Sequence, residues 1–546
     1  MRNLLTLSTG LLLLATTAAC DSAGPGAVKE PPILKVTSPA RSMLQDHAGP
    51  VMVSGTVTPN ANGDAVTQVL VNNVAATVGA DGTFAAMINV AEGATLIQTV
   101  ARDAAGASIT DTRAVQAGQL RPVGTNVPGA IAIAMSTDAF TKISAAAGPI
   151  VKGLDIAAMI APLQPMVSVG TDCNGARLSV DGVKFTDVKI SLSPVAGGLA
   201  FTAELDGIDV PAHASYSLFC GDGATSVRVK AGKVVVAGTL DVTPNGMSGF
   251  TTKLNNPDVK ITGLDVSASG LPGAILNLFD FNSVIGLVAG KAAELAMNPL
   301  MNQALGALGG PQTLDLFGKQ LTMQMAPSAI AFQDGGASLT MSLKVLLGGS
   351  EQSPGFIFTD NGAPALDPTQ GFQLGIADDL ANEMLAELSQ IGMLNLKVPA
   401  EGGTFEEAQI QMNLPPMISA DASDGQMRLV LGDMYATFLH NGAAVGKAAI
   451  NAKVDLKIAP VSNGYGVALQ LGVPEIHVDP LDDVANTTGL DSESLGHAVA
   501  ACLGSQIDAI TKLLVAIPLP QIAGLQVRNL SIGSDAGYVV IRGQLD

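Results

Sequence analysis

The sequence predicts an α+β protein. An all-β sandwich comes first, followed by a longer region in which antiparallel strands alternate with a few long, apolar-striped helices. Three observations carry this. Of 546 residues, 47% are hydrophobic and only 14% charged, with 61 Gly, 30 Pro and no Trp, a profile of short strands and tight turns rather than of coiled coils or charged bundles. Runs with apolar residues at every second position recur from residue 33 onward. Helix-period runs are fewer, and the order helix, strand meander, helix occurs twice, each time over about 200 residues. The length suits roughly three or four domains.

Charge excludes several functions. Lys and Arg total 28 against 47 Asp and Glu, a net charge of -19. A nucleic-acid binder displaces counterions with a positive surface, so no nucleic-acid partner is expected. A polybasic grip on anionic membranes is excluded on the same ground. Aromatics at 3% are too few for base-stacking platforms.

The N-terminus reads as an address. Arg2 supplies a positive start, Leu11 to Leu14 lie in an apolar run, and Thr17-Ala18-Ala19-Cys20 follow. Residues 1–19 are expected to be a signal peptide, too short and wrongly flanked for a spanning helix. Small residues before a Cys resemble a bacterial lipobox, which makes Cys20 the expected lipidated N-terminus of an exported, envelope-bound protein. The pattern departs at Thr17, where Leu is usual, and the alternative is a soluble exported chain with an incidental Cys20. Inner and outer membrane are not distinguished. Residues 20–32 are a Gly/Pro-rich tether. No later stretch offers about 20 uninterrupted apolar residues, the length a spanning helix needs.

Export permits disulfides. Cys173 and Cys220 lie in one strand-rich region and are expected to pair, although spacing alone does not prove it. Cys502 then remains as a buried thiol in an apolar helical pattern.

Residues 33–117 read as a small all-β module. Period-2 runs occur at Ile33–Val36, Val51–Val57, Val66–Val71, Thr83–Val90, Thr95–Ala101 and Ala107–Val115, with turn signals at Asn62-Gly63, Asp81-Gly82 and Asp103 to Gly106. The wording "VMVSGTV…VTQVLVNNVAATVGADGTFAAMINV" resembles bacterial Ig-like repeats, which implies a β-sandwich serving as a spacer or adhesive unit. The Cys…Trp…Cys core of true immunoglobulin domains is missing. Any protein partner is unknown, with this module as its expected place. Residues 118–130, rich in Gly and Pro, read as a linker.

A helical stretch follows, with Phe140, Ile143, Ala147, Ile150 and Leu154 on one stripe and an expected kink at Gly148-Pro149. Strands are expected over 167–270, with a change of phase at Asp187 that suggests a bulge. Helix returns at 281–308, with Phe281, Ile285, Val288, Ala292 and Leu295 in line and a break near Pro299. Strands follow at 319–347. In the second half, Phe356–Phe358 and Phe372–Leu374 precede a helix carrying Ala377, Leu380, Met384 and Leu388. Strands fill 394–478, a helix at 493–516 carries Val499, Leu503, Ile507, Ile510 and Leu514, and strands at 525–532 and 537–543 close the chain.

This order, the segment "GFQLGIADDLANEMLAELSQIGMLNLKV", the C-terminal "IPLPQIAGLQVRNLSIGSDAGYVVIRGQL", the Cys pair and "VIGLVAGKAAELAMNPLMNQAL" resemble the family of bactericidal/permeability-increasing, lipopolysaccharide-binding and cholesteryl-ester-transfer proteins. The resemblance spans about three quarters of the chain and implies an elongated, two-lobed tubular lipid-binding fold. Its lobes would be 131–350 and 351–546, each a curved antiparallel sheet wrapped on long helices. Acyl chains of phospholipid or another lipid would lie in the slot between helix and sheet. The residues it points to are Ile143, Ile150, Leu154, Ile285 and Val288 in the first lobe, and Leu380, Met384, Leu388, Leu503 and Ile507 in the second. The acidic charge, the scarcity of aromatics and the added N-terminal module depart from the family and tell against a bactericidal or lipopolysaccharide-binding role.

Catalytic signatures are absent: there is no G-x-S-x-G, H-E-x-x-H or C-x-x-C. Gly286 to Ala292 imitates a phosphate loop but is one residue short and lacks the Ser or Thr that would meet the metal. The five His are scattered; His497 near Asp491 and Glu493 reads as a solvated group, not a metal ligand. Asp81 and Asp103 fit turn chemistry. The expectation is a lipid-anchored, non-enzymatic protein without cofactor or metal that binds, and could transfer, acyl lipid. The alternative is a structural or adhesive lipoprotein whose core is filled.

Overall fold

In the computed structural model, which describes residues 30–61, 63–246, 249–268, 279–305, 312–316, 318–359, 362–399, 404–419, 427–460, 466–481, 517–518 and 524–546, strand dominates and helices are few. The expected α+β balance therefore overstated the helical share. By contacts the chain falls into two units: one of residues through Ser38 with Val53–Ala86 and Thr99–Asp111, the other of Pro39–Met52, Met87–Gln98 and Thr112–Asp546.

In the smaller unit, Ile33–Ser38 pairs antiparallel with the 54–58 stretch of strand Gly49–Thr58. Val66–Val71 pairs with Val74–Ala75 and with the end of strand Gly93–Asp103, and Thr77–Val78 pairs with Thr83–Val90. Alternate side chains point inward, burying Val53, Val57, Val69, Val71, Phe84 and Ala101. Asn72 and Asn73, both at positive φ, make the two-residue hairpin turn that such residues favour. Gly55 lets two backbones close up: a Cβ there would lie 2.2 Å from Lys35 O.

Among the described residues the larger unit contains three extensive sheets. The first runs Val167–Thr171, Asn174–Val180, Gly198–Leu218, Gly221–Pro244, Phe250–Thr262, with Asp187–Val195 and Asp265–Ala268 added to its long strands. The central sheet runs Gln312–Leu316, Lys319–Gln333, Gly336–Leu347, Asn126–Ser136, Phe372–Ala377, Tyr538–Leu545, Val527–Asp535. Here the opening strands of the two halves meet antiparallel, Ile131 opposite Ile376 and Ile133 opposite Leu374. The third runs Leu396–Pro399, Glu407–Gln411, Met427–His440, Ala443–Pro460, Gly466–Leu471, Ile517–Pro518, with Met417–Ser419 and Glu475–Pro480 beside it. Met43–Gln45 pairs parallel with Val115 to Ala117.

Four α-helices lie in this unit among the described residues: α1 (Thr137–Lys152), α2 (Ile156–Ile160), α3 (Phe281–Leu305) and α4 (Asp378–Gln390). Ser136 caps α1 by accepting from Ala139 N, while Asp138 and Lys152 suit the two ends of its dipole. The chain breaks at 153–155 rather than at Gly148-Pro149. Gly153 ends α1, and Asp155 starts α2 by accepting from Ala158 N at 3.0 Å. The axis turns 84° across this junction. Helix α3 continues through Pro299, where a break was expected.

The structure corrects three further expectations. Residues 118–130 are not a loop-like linker. Gln119–Arg121 pairs with Phe356–Phe358, the strand Asn126–Ser136 enters the central sheet, and Tyr538 Oη donates to Gly129 O at 2.8 Å. Gly and Pro there mark turns and bulges between ladder segments rather than freedom. The phase change before Val188 is not a bulge: Lys184 makes an isolated bridge with Asp209, and the strand begins at Asp187. Helix α4 does not bury only its apolar stripe. Leu380, Met384 and Leu388 are half-buried, while Asp378, Asp379, Asn382, Glu383 and Glu387 are fully buried. These polar groups satisfy backbone donors and acceptors of adjoining segments, as Asn382 does with Ile418 N and O at 2.7 and 3.0 Å. The expected helix at 493–516 lies outside the described residues.

Candidate functional site: an apolar cavity under helix α3

Helix α3 presents Ile285, Val288 and Ala292 to the first sheet, flanked by Ala289, Ala293 and Ala296. Its small residues leave space that Leu would fill. Opposite, Gly198–Leu218 supplies Phe201, Ala203, Leu205, Ile208 and Val210. Strict alternation would turn Ile208 away from the side that Leu205 faces. Gly207, at φ 60°, resets the phase so that both line the cavity. Val188 and Ile190 add a third wall, and Val151, Ile156, Val183 and Met297 complete the lining.

The space between them is a partly open cavity of about 50 Å³, lined among the described residues by apolar side chains. About 10–15 Å³ of such space holds one water, so the cavity as it stands has room for only a few water-sized groups, less than an acyl chain. Among the described residues no ionisable side chain lines it, so acid–base chemistry has no agent there. Beside the lining residues Val151 and Val188, Lys152 Nζ lies 2.6 Å from Asp187 Oδ1 and ties the end of α1 to the sheet. The hydrogen bond from Lys152 holds the Asp187 carboxyl below its ordinary range.

Of the residues chosen from sequence, Ile285 and Val288 line this cavity. Ile143 is buried in the same core cluster, with Ile150 and Leu154 packed against it, but none of the three faces the cavity. Leu380, Met384 and Leu388 belong to a separate cluster with Leu321, Leu343, Val345 and Phe356. Leu503, Ile507 and Cys20 lie outside the described residues. The strand-borne wall was missed as a site, although the alternation of Val188 and Ile190 and the run Phe201 to Val210 carried its signal.

Cys173 and Cys220 are joined in a disulfide with Cα atoms 4.2 Å apart. It links two adjacent hairpin turns of the first sheet, reinforced by Cys220 N donating to Cys173 O at 3.1 Å. Among the described residues no three His, Cys, Asp or Glu side chains form a group able to hold a metal. None of the described helices is by itself long and apolar enough to cross a membrane.

Residues 32–119 match the family model "Glucodextranase, domain B", so the N-terminal β module is similar to that domain. No curated protein matches the chain. Among solved structures, a lipopolysaccharide binding protein is similar at 13% identity, with a TM-score of 0.37, over 77% of this chain and 99% of that one. A rhamnogalacturonan lyase, YesW, is similar at 10% identity, with a TM-score of 0.09, over 92% of this chain and 91% of that one. Superpositions this loose carry no functional argument.

Proposed function

We propose that this protein is a non-catalytic, lipid-anchored protein of the bacterial envelope that binds acyl lipid between α3 and the first sheet, within an elongated two-lobed tubular fold. The observation that carries the reading is the wall chemistry: a cavity lined, among the described residues, by apolar side chains. Such a site recognises hydrocarbon and leaves a polar headgroup in solvent. Each methylene transferred from water contributes about 0.8 kcal/mol, so a chain of ordinary length offsets the cost of parting α3 from the sheet. Phospholipid is the proposed ligand class, carried or transferred by the protein, with the anchor at Cys20 holding it at a membrane.

A second reading follows from the cavity's volume of about 50 Å³: the core is filled, and the protein is a structural or adhesive lipoprotein. Native mass spectrometry of protein purified without detergent, with extraction of bound lipid and uptake of a fluorescent phospholipid, decides between them. Co-purified lipid and saturable uptake support lipid binding; clean protein that takes up none leaves the filled-core reading. Replacing Cys20 with Ser is expected to release the protein from membrane fractions.

A further inference from the structure

Glu383 and Glu387 stand one turn apart on α4, and both are fully buried. Each spends one carboxyl oxygen on a backbone amide of a different segment. Gly124 N donates to Glu383 Oε1 at 2.9 Å, and Leu347 N donates to Glu387 Oε2 at 2.7 Å. The other oxygens, Glu383 Oε2 and Glu387 Oε1, are buried without a hydrogen-bond partner among the described residues. Around them lies an apolar cluster that includes Val127, Leu343, Leu347, Phe356 and Ala386.

Few charges face this pair. Of the strands packed on α4, Asn126–Ser136, Phe356–Phe358, Phe372–Ala377 and Met417–Ser419 contain no charged residue, and Gly336–Leu347 contains only Lys344. Lys344 favours the ionised form of Glu383, whereas Glu387 opposes it, and Glu351 opposes ionisation of Glu387. Asp378 and Asp379 occupy the first turn of the same helix, and Asp379 accepts from Thr359 N at 2.9 Å. A buried carboxylate with one donor and no facing cation on its open oxygen is costly, whereas a neutral acid is far less so.

We propose that α4 is a proton-held latch: it stays docked on the Gly124 turn and on the end of strand Gly336–Leu347 while Glu383 and Glu387 are neutral, and it releases them when both ionise. Burial is the main force that pushes the Glu383 carboxyl up to about 8 and that of Glu387 up to about 7, from an ordinary 4.5. Released side chains in water lose their protons near the ordinary value. Docking is therefore fully favoured below about pH 4.5 and weakens as pH climbs toward about 8. The latch operates independently of lipid binding.

Hydrogen exchange measured by mass spectrometry on the full chain, from about pH 6 to about pH 9 and corrected for intrinsic base catalysis, tests the latch. Protection of the amides of Gly124, Leu347 and α4 is expected to fall by about tenfold or more across that range. In the double variant Glu383→Gln with Glu387→Gln, protection is expected to stay level. Level protection in the unmodified protein, or an equal fall in the double variant, overturns the proposal. Should the double variant fail to fold, infrared spectroscopy of the unmodified protein decides. A buried protonated-carboxyl band present near pH 6 and gone by about pH 9 supports the latch, and its absence near pH 6 overturns it.

Discussion

Arg41 Nη1 lies 3.1 Å from Asp433 Oδ1, and the Asp433 side chain is completely buried. The same guanidinium donates to Thr112 O at 2.7 Å and reaches Asp479 Oδ2 at 3.4 Å. Asp433 in turn accepts from Ser42 N at 2.6 Å and Ala114 N at 3.1 Å, and Asn451 Nδ2 lies 3.3 Å from it. Asp479 accepts from Thr112 N at 3.0 Å. One Arg and two Asp thus bring the 39–42 and 112–114 stretches together with strands Met427–His440, Ala443–Pro460 and Glu475–Pro480. Asp433 holds positive φ within a register shift, where Asp is tolerated better than most residues.

Removing the cation leaves two buried carboxylates underpaired. Arg41→Ala is expected to cost about 3–5 kcal/mol, read as a lower urea midpoint with an unchanged slope. Arg41→Lys keeps the charge but not the forked geometry and should fall between. An unchanged midpoint in Arg41→Ala would show that this network contributes little.

The cavity and the α4 cluster should respond differently to enlargement. Ala292 lines the cavity, so Ala292→Phe is expected to abolish uptake of fluorescent phospholipid, at a cost of about 1–3 kcal/mol because the ring exceeds the open space. Met384 is packed in the cluster with Leu321 and Phe356. Met384→Trp should overpack it, costing about 1–3 kcal/mol, and leave uptake unchanged. Loss of uptake in Met384→Trp alone would place the lipid site under α4 instead.

The disulfide encloses a sequence separation of 47 residues. The chain-entropy relation assigns such a loop about 4 kcal/mol. Replacing Cys173 and Cys220 together with Ala is expected to recover about 2–4 kcal/mol of that as destabilisation, seen as earlier urea unfolding. The loss should vanish when both proteins are compared under reducing conditions.

Stability should also depend on pH through the buried glutamates. Their folded-state affinities for protons are raised, to about 8 for Glu383 and about 7 for Glu387. The unfolded chain therefore releases protons that the folded one retains. The contribution of these two glutamates is fullest below about pH 4.5 and declines as pH rises toward about 8. Urea midpoints at about pH 5.5 and about pH 8 check this; replacing both glutamates with Gln should bring the two midpoints together.

Much of the secondary structure was legible because burial imposes a period. Val66–Val71 and Thr83–Val90 form strands with the bounds read from alternation. The stripe from Ile285 to Ala292 forms a helix whose apolar side meets the sheet, with Ile285 and Val288 on the cavity. Reading failed where long-range partners decide. Gln119 to Arg121 become strand only because Phe356 to Phe358 lie alongside. Nothing local marks Glu383 as buried, since its main partner is the amide of Gly124, far away in the chain.

By itself, then, the sequence determined the sequence-local features: strand and helix periods, the absence of catalytic motifs, the acidic balance and the small residues that thin one face of α3. Each follows from neighbours a few positions apart. The tertiary structure alone decided which of the striped helices stands over open space, that α4 buries its acids, and that Arg41 closes on Asp433. Those outcomes depend on groups hundreds of residues apart competing for the same buried volume and the same unpaired backbone donors, and no local pattern records who wins.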